Sequence, residues 1–138
     1  MEYDFKKLGQ QNMSAPSKEL DTFPAPEYIT AVIFTSDELT NFCPVTGQPD
    51  FNTITIEYAP DKVCVESKSL KLYLWTFREE QIFGEGLASQ IAQDIVDALD
   101  PFTCKVTLEQ GIRGGLQMTA VAEINRVDRG SGKGGQDE

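Results

Sequence analysis

Thr53-Ile54-Thr55-Ile56-Glu57-Tyr58 alternates polar with apolar residues, then gives way to Ala59-Pro60-Asp61-Lys62 and to Val63-Cys64-Val65-Glu66. Strict alternation marks a strand with one buried face. The proline-containing break is a turn, and the second run resumes as a short strand. Working outward, Tyr28-Ile29-Thr30-Ala31-Val32-Ile33-Phe34 is rich in β-branched and aromatic residues and predicts an earlier strand. Leu87, Ile91, Ile95 and Leu99 step by four, which predicts a helix from about Glu85 to Leu99, ended by Pro101. Ala88, Ala92, Val96 and Ala98 widen its apolar stripe. Lys105 to Glu109 and Leu116 to Asn125 predict two further strands joined by a turn at Gly111 to Gly115. Ser67 to Phe77 fits two readings: Leu70, Leu72 and Leu74 alternate as in a strand, yet a helix apolar on most sides also accommodates them. Sequential strands with short connections predict an α+β fold, an antiparallel sheet with helices on one face.

The 138 residues suit a single domain with its own core, set at 20–126. Residues 1 to 26 hold three of the seven prolines and read as irregular, with 1–19 an arm outside the core. Residues 127–138, with four glycines, read as a disordered tail. No apolar run is long enough to span a membrane, and the start of the chain lacks a signal-peptide pattern. Three cysteines, Cys43, Cys64 and Cys104, are an odd count that points to reduced thiols and a cytoplasmic setting. Their spacing does not resemble a zinc site. The net charge of −10 disfavours direct, sequence-independent nucleic-acid binding, which depends on neutralising phosphates. Histidine is absent, so serine-histidine and cysteine-histidine catalysis and histidine-ligated metals are excluded.

The segment Phe42-Cys43-Pro44-Val45-Thr46-Gly47-Gln48-Pro49-Asp50-Phe51 puts a cysteine and an aspartate seven apart. Two prolines and a glycine between them preclude a regular helix, so the loop can fold back and join them. A thiol beside a carboxyl group suits nucleophilic chemistry with proton transfer. Taken alone, Cys43 also fits a small buried hydrophobe. Cys64 and Cys104 read as packed strand residues.

Sixteen residues after Asp50, Glu66-Ser67-Lys68-Ser69-Leu70-Lys71-Leu72-Tyr73-Leu74-Trp75 is a second unusual string. With the Cys43–Asp50 loop it resembles the NADPH-dependent 7-cyano-7-deazaguanine reductases, the nitrile reductases of queuosine biosynthesis. Leu20-Asp21-Thr22-Phe23-Pro24-Ala25-Pro26 looks like that family's entry into its first strand, and the likeness runs from about Leu20 to Asn125. The resemblance implies the tunnelling fold, assembled into rings with active sites between subunits. It implies NADPH as cofactor and a small 7-deazapurine nitrile as substrate, reduced to the primary amine. On matching positions, Cys43 is the nucleophile that forms a covalent thioimide and Asp50 the proton donor. Glu85 anchors the deazaguanine ring, and Val65, Glu66, Ser67 and Gly84 border the substrate. Lys68, Lys71 and Arg113 are candidates for the NADPH phosphates. The chain departs from the family where Phe83-Gly84-Glu85 stands in place of Phe-His-Glu. It departs again where Gly111-Ile112-Arg113-Gly114-Gly115 stands in place of Asn-Pro-Arg-Gly-Gly. Two other functions fit the same resemblance: a reductase-like archaeosine synthase, which adds ammonia to a nitrile on tRNA, and a non-catalytic binding protein on the same fold.

Overall fold

The structure is a computed structural model and describes residues 15–130. Its elements run β1 (Thr22–Pro24), β2 (Val32–Phe42), β3 (Pro49–Ala59), β4 (Val63–Val65), α1 (Ser67–Trp75), α2 (Gly84–Leu99), β5 (Thr103–Gln110), β6 (Thr119–Asn125) and α3 (Arg126–Gly130). Four strands form an antiparallel sheet in the order β2-β3-β5-β6, and β1 pairs with β4 in a separate two-stranded ribbon.

The alternation in Thr53–Tyr58 works as predicted. Ile54, Ile56 and Tyr58 are buried on the inner face while Thr53, Thr55 and Glu57 stay half exposed. The following short strand does not join this sheet. Both edges of β3 are already occupied, Ile56 facing Phe34 of β2 on one side and Val106 of β5 on the other. The chain therefore turns away at Pro60, and β4 pairs with Thr22–Pro24, which sequence reading had treated as irregular. The Tyr58 hydroxyl holds the ribbon to the sheet by accepting from Val65 N at 2.9 Å. The earlier strand also lies later than predicted. Tyr28 has a positive φ of 78° and is exposed, and pairing begins only at Val32, opposite Tyr58. It continues through the polar Thr35–Glu38, with a register shift between Ser36 and Leu39.

Ser67–Trp75 is a helix, which resolves the ambiguous stretch. Glu66 caps it by accepting from Ser69 N at 2.8 Å, and Leu70 and Tyr73 turn inward. Helix α2 packs its Leu87, Ile91, Ile95 and Leu99 stripe over β5 and β6. Both helices share one hydrophobic cluster with the inner face of the sheet, so they lie on the same side of it. The Tyr73 hydroxyl donates to Asp94 Oδ2 at 2.5 Å and ties α1 to α2. Ile91 is fully buried. Truncating such a side chain to alanine typically costs about 2–5 kcal/mol.

The predicted tail starts as structure: Arg126–Gly130 is helical. Arg126 pairs with Asp61 at 3.1 Å and Arg129 with Asp100 at 3.1 Å, which tethers this turn against the β3–β4 turn and the α2–β5 connection. The rest of the predicted tail, 131–138, and most of the predicted arm, 1–14, lie outside the described residues. Among the described residues no helix is long and apolar enough to cross a membrane.

Candidate active site

The Cys43–Asp50 loop is a short, hydrogen-bonded connection between β2 and β3. Cys43 N donates to Gln48 O and Gly47 N to Cys43 O, each at 2.9 Å, which closes the loop on itself. Gly47 adopts a φ of +72°, a conformation that glycine reaches without steric cost. Across the strand pair, Asn41 faces Asp50 and Phe42 faces Pro49, and the Arg113 side chain contacts both the Cys43 thiol and the Asp50 carboxyl group. Cys43 is only 8% exposed and Asp50 3%. The strand that delivers Cys43 is clamped to the segment before α2. Phe42 N donates to Glu80 O at 2.9 Å, Ile82 N donates to Phe42 O at 3.1 Å, and the Asn41 amide donates to Ile82 O at 2.7 Å.

The Cys43 thiol is pulled well below the ordinary thiol range, to about 6. The largest cause is the backbone N–H of Thr46, followed by its hydroxyl and by the Val45 N–H; burial pushes the other way, and Arg113 adds a further lowering contact. Near neutral pH the sulfur is therefore largely thiolate, the nucleophilic form. Arg113 also bonds Asp50 Oδ1 directly. It sits on the β5–β6 turn, where Arg113 and Leu116 exchange backbone hydrogen bonds at 3.0 Å and Gly111 N donates to Phe51 O at 2.8 Å. The Ile112 variation in this turn leaves the arginine aimed at the carboxylate.

Helix α2 begins beside this loop. Pro44 shares a groove of about 700 Å³ with Gln81, Ile82, Phe83, Glu85 and Gly86. Glu85 is exposed in the first turn of α2, where a carboxylate is favoured by the helix dipole. Gly84 is buried and carries an ordinary helical backbone. A Cβ there would meet Met118 Cε, the end of a flexible side chain that can give way, and would stand 3.2 Å from Leu108 Cδ2.

The remaining predicted residues gather elsewhere. Val65 is buried at the end of β4, Glu66 is spent on capping α1, and Ser67, Lys68 and Lys71 are exposed along α1. Ser67, Lys68 and Lys71 line a cavity of about 870 Å³ with Phe34–Glu38 of β2, Trp75 and Arg78. Arg78 stacks on Trp75 at 5.0 Å. Three cations and an aromatic ring on one wall suit a ligand that carries phosphates and flat rings. The volume lies in the range of small-molecule sites. The opposite wall carries Asp37 and Glu38. Ser36 and Phe42, the residue before Cys43, are six residues apart on β2, which at ~3.3 Å per residue separates the two regions by roughly 20 Å. Cys43, Asp50, Arg113, Gly84 and Glu85 thus form one group and Val65 to Lys71 another.

Sequence reading missed Thr46, the residue that does most to lower the Cys43 pKa, and Arg78. Thr46 sits inside the quoted loop, but a hydroxyl's target is invisible until the loop closes. Arg78 lies in the turn after α1, where its N–H donates to Trp75 O at 3.2 Å, so no helical spacing in the sequence points to it. The other two thiols behave as packed side chains. Cys64 and Cys104 are buried, and burial pushes the Cys104 thiol up to about 11.

Comparison with known proteins adds an independent finding. The family described as "QueF-like protein" matches residues 49–129. The NADPH-dependent 7-cyano-7-deazaguanine reductase of Syntrophus aciditrophicus (strain SB) is 48% identical over 121 residues, covering 86% of this chain and 85% of that protein. The protein of the same name from Alkalilimnicola ehrlichii (strain ATCC BAA-1101 / DSM 17681 / MLHE-1) is 49% identical over 110 residues, covering 78% and 85%. Among solved structures, the archaeosine synthase QueF-Like in the apo form superposes with a TM-score of 0.65 at 23% identity. It covers 68% of this chain and 92% of that one. At that identity the likeness speaks for the fold.

Proposed function

This chain belongs to the QueF-like protein family, and from that premise we propose that it reduces the nitrile of 7-cyano-7-deazaguanine to the primary amine with NADPH, in queuosine biosynthesis. The observation that supports this reading is the closed Cys43–Asp50 loop, whose thiol, with a pKa of about 6, and nearly buried carboxyl group share the contact of Arg113. It occurs in a chain 48% identical to a protein named for that activity.

The chemistry follows from the residues. The Cys43 sulfur adds to the electrophilic nitrile carbon, one C–N π bond opens, and the nitrogen takes a proton from Asp50. The product is a thioimide on Cys43, whose C=N can accept hydride where the parent nitrile accepts it poorly. When bound, NADPH supplies the two hydrides, one from each of two molecules, that carry this carbon to the amine level. Asp50 and solvent return the matching protons, and the sulfur leaves as thiolate, which its low pKa favours. Arg113 holds the Asp50 carboxyl group toward the sulfur and is 42% exposed, so a cofactor phosphate also has access to it. Glu85 receives the ring N–H and amino groups in a planar two-point contact. Lys68, Lys71 and Arg78 take the cofactor phosphates, with Trp75 beside them.

The Cys43 loop and the cavity beside α1 lie roughly 20 Å apart along β2, and we infer that the complete site forms between copies of the chain. β2 and β6 are the outer strands of the sheet. Among the described residues the outer edges of both strands are unpaired apart from Phe42, which supports closure of several copies into a ring. Val65 to Lys71 of one copy then face Cys43 and Glu85 of the next. We assign the protein to the cytoplasm on its three unpaired thiols.

The direct test is purified protein with 7-cyano-7-deazaguanine and NADPH, followed at the nicotinamide absorbance band. The expected result is two NADPH consumed per nitrile, with the primary amine formed. Absence of NADPH oxidation, together with ammonia incorporation into nitrile-bearing tRNA, would replace this reading with that of a synthase.

A further inference from the structure

At the end of the sheet nearest the Cys43 loop, four inward side chains form one row across the four strands: Leu39, Asn52, Gln110 and Met118. Leu39 faces Asn52 and Asn52 faces Gln110 in register, and Gln110 N donates to Met118 O at 2.9 Å. Two members of this row are carboxamides at a depth where the other strands supply Leu and Met. Asn52 is 2% exposed. Its Nδ2 donates to Leu39 O at 3.1 Å and to Asn41 Oδ1 at 2.9 Å, but its Oδ1 has no hydrogen-bonding partner among the described residues. A buried acceptor left in that state is costly and calls for a donor.

Gln110 stands next to it and reaches toward α2. Its Nε2 lies 3.5 Å from the position a Cβ on Gly84 would take. Gly84 adjoins Glu85, and Asn52 lies two residues along β3 from Asp50. The Gln110 carboxamide therefore occupies the span between the carboxylate that receives the ring edge and the acid beside the nucleophile. Gly84 itself brings no side chain to this span, and Met118 Cε lies against the place its Cβ would take.

On the reading that the substrate is 7-cyano-7-deazaguanine, we propose that Gln110 is a specificity-determining residue that donates from its amide to the lactam carbonyl oxygen of the ring. The order of groups on the ring motivates the assignment. The N–H and amino groups that suit Glu85 lie at one end and the nitrile that meets Cys43 at the other. The carbonyl oxygen lies between them, and it is an acceptor that needs a donor. Gln110 has two amide hydrogens, enough for the ring oxygen and for Asn52 Oδ1 together. Asn41 and Asn52 hold the row in place through their bonds to Ile82 O and Leu39 O.

The test compares 7-cyano-7-deazaguanine with its 2,6-diamino analogue, which carries an amino group where the carbonyl stands and a bare ring nitrogen where the N–H that meets Glu85 stands, a second change that is the same for wild type and every Gln110 variant. The readouts are kcat/KM from NADPH oxidation and, without NADPH, the mass of the covalent adduct at a series of nitrile concentrations. The ratio of the two kcat/KM values is independent of the fraction of enzyme that is folded. Wild type is expected to prefer the carbonyl nitrile by roughly a hundredfold or more, since a site built to bond a polar group rejects its mismatch strongly. Gln110→Glu replaces the donor with an acceptor and should cut that preference at least roughly tenfold. Gln110→Met, close in size and unable to donate, should cut it by a smaller factor while leaving NADPH affinity unchanged. A preference that stays within twofold of wild type in either variant, with the nitriles still consumed, overturns the assignment of Gln110 alone. A wild-type protein that neither oxidises NADPH nor forms an adduct with either nitrile overturns the functional reading beneath it.

Discussion

The Cys43 loop and the outer face of α1 carry the two groups of residues that the sequence singles out, and they are built in opposite ways. Cys43 and Asp50 are almost fully covered, and the backbone around them is closed by hydrogen bonds of 2.9 Å within the loop and to the segment before α2. Lys68 and Lys71 stand in solvent on a nine-residue helix whose buried residues include Ser69 and Leu70. On the proposed function, the difference follows from what each group would do. Lowering a thiol pKa takes donors fixed at the sulfur, so the loop is rigid and shielded. Attracting phosphates takes formal charge and reach, which exposed lysines supply without a fixed geometry. The Ser residues of the α1 string are a partial exception. Ser69 is buried, accepts from Asp21 N at 2.9 Å and donates to Glu66 O at 2.9 Å, so part of the string serves the helix start rather than a ligand.

The contrast breaks most sharply at Cys43. Cys43→Ala should abolish both the covalent adduct and NADPH oxidation, while the protein still binds NADPH. An adduct of the same mass on Cys43→Ala would contradict the assignment of the nucleophile. Next in size is Asp50→Asn, which should slow nitrile reduction by ~10²–10⁴ through loss of the proton donor. Substrate binding to this variant, measured by calorimetry, should survive. On the α1 side, Lys68→Ala combined with Lys71→Ala should raise the KM for NADPH by roughly 10–100-fold, the scale of lost charge-assisted hydrogen bonds. Adduct formation without NADPH should be untouched, and a matching loss of adduct would blur the division between the regions.

A smaller effect comes from pH. With the Cys43 pKa near 6, the initial rate of adduct formation should be flat above about pH 7 and fall roughly tenfold between pH 7 and pH 5, following the thiolate fraction. The same bonds favour the folded state above the ordinary thiol pKa, and that contribution fades as pH falls through about 6. A rate that climbs instead through pH 8 to 9 would mean that the Thr46 contacts do not hold the thiolate. The smallest expected change is in Cys104→Ala, whose buried thiol is pushed up to about 11. Its adduct yield should match wild type.

The periodic parts of the fold were legible in the sequence. The Leu87–Leu99 stripe and the Thr53–Tyr58 alternation each fix an element, because burial on one face imposes the period directly. Pairing partners were not legible. Nothing local in Val63–Val65 says that β3 has no free edge and that Thr22–Pro24 will take its place. The tail turn at Arg126–Arg129 was hidden for a similar reason, since its partners Asp61 and Asp100 are remote in sequence. In the site, the Cys43–Asp50 spacing showed through because a turn joins close neighbours. Gln110 could not, because its meaning depends on register with Asn52 and on the space left by Gly84.

The claim that joins the two regions is that each copy of the chain supplies half of a site completed by another. Subunit mixing tests it most directly. Cys43→Ala and the Lys68→Ala, Lys71→Ala variant, each inactive at a limiting NADPH concentration, are unfolded together, refolded as mixed assemblies and assayed. In a one-to-one mixture, interfaces that pair an intact loop with an intact α1 face should restore roughly a quarter of wild-type activity, the random share for a symmetric ring. Mixed assemblies, verified by mass, that remain as inactive as their parents would contradict the account and place both halves of the site within a single chain.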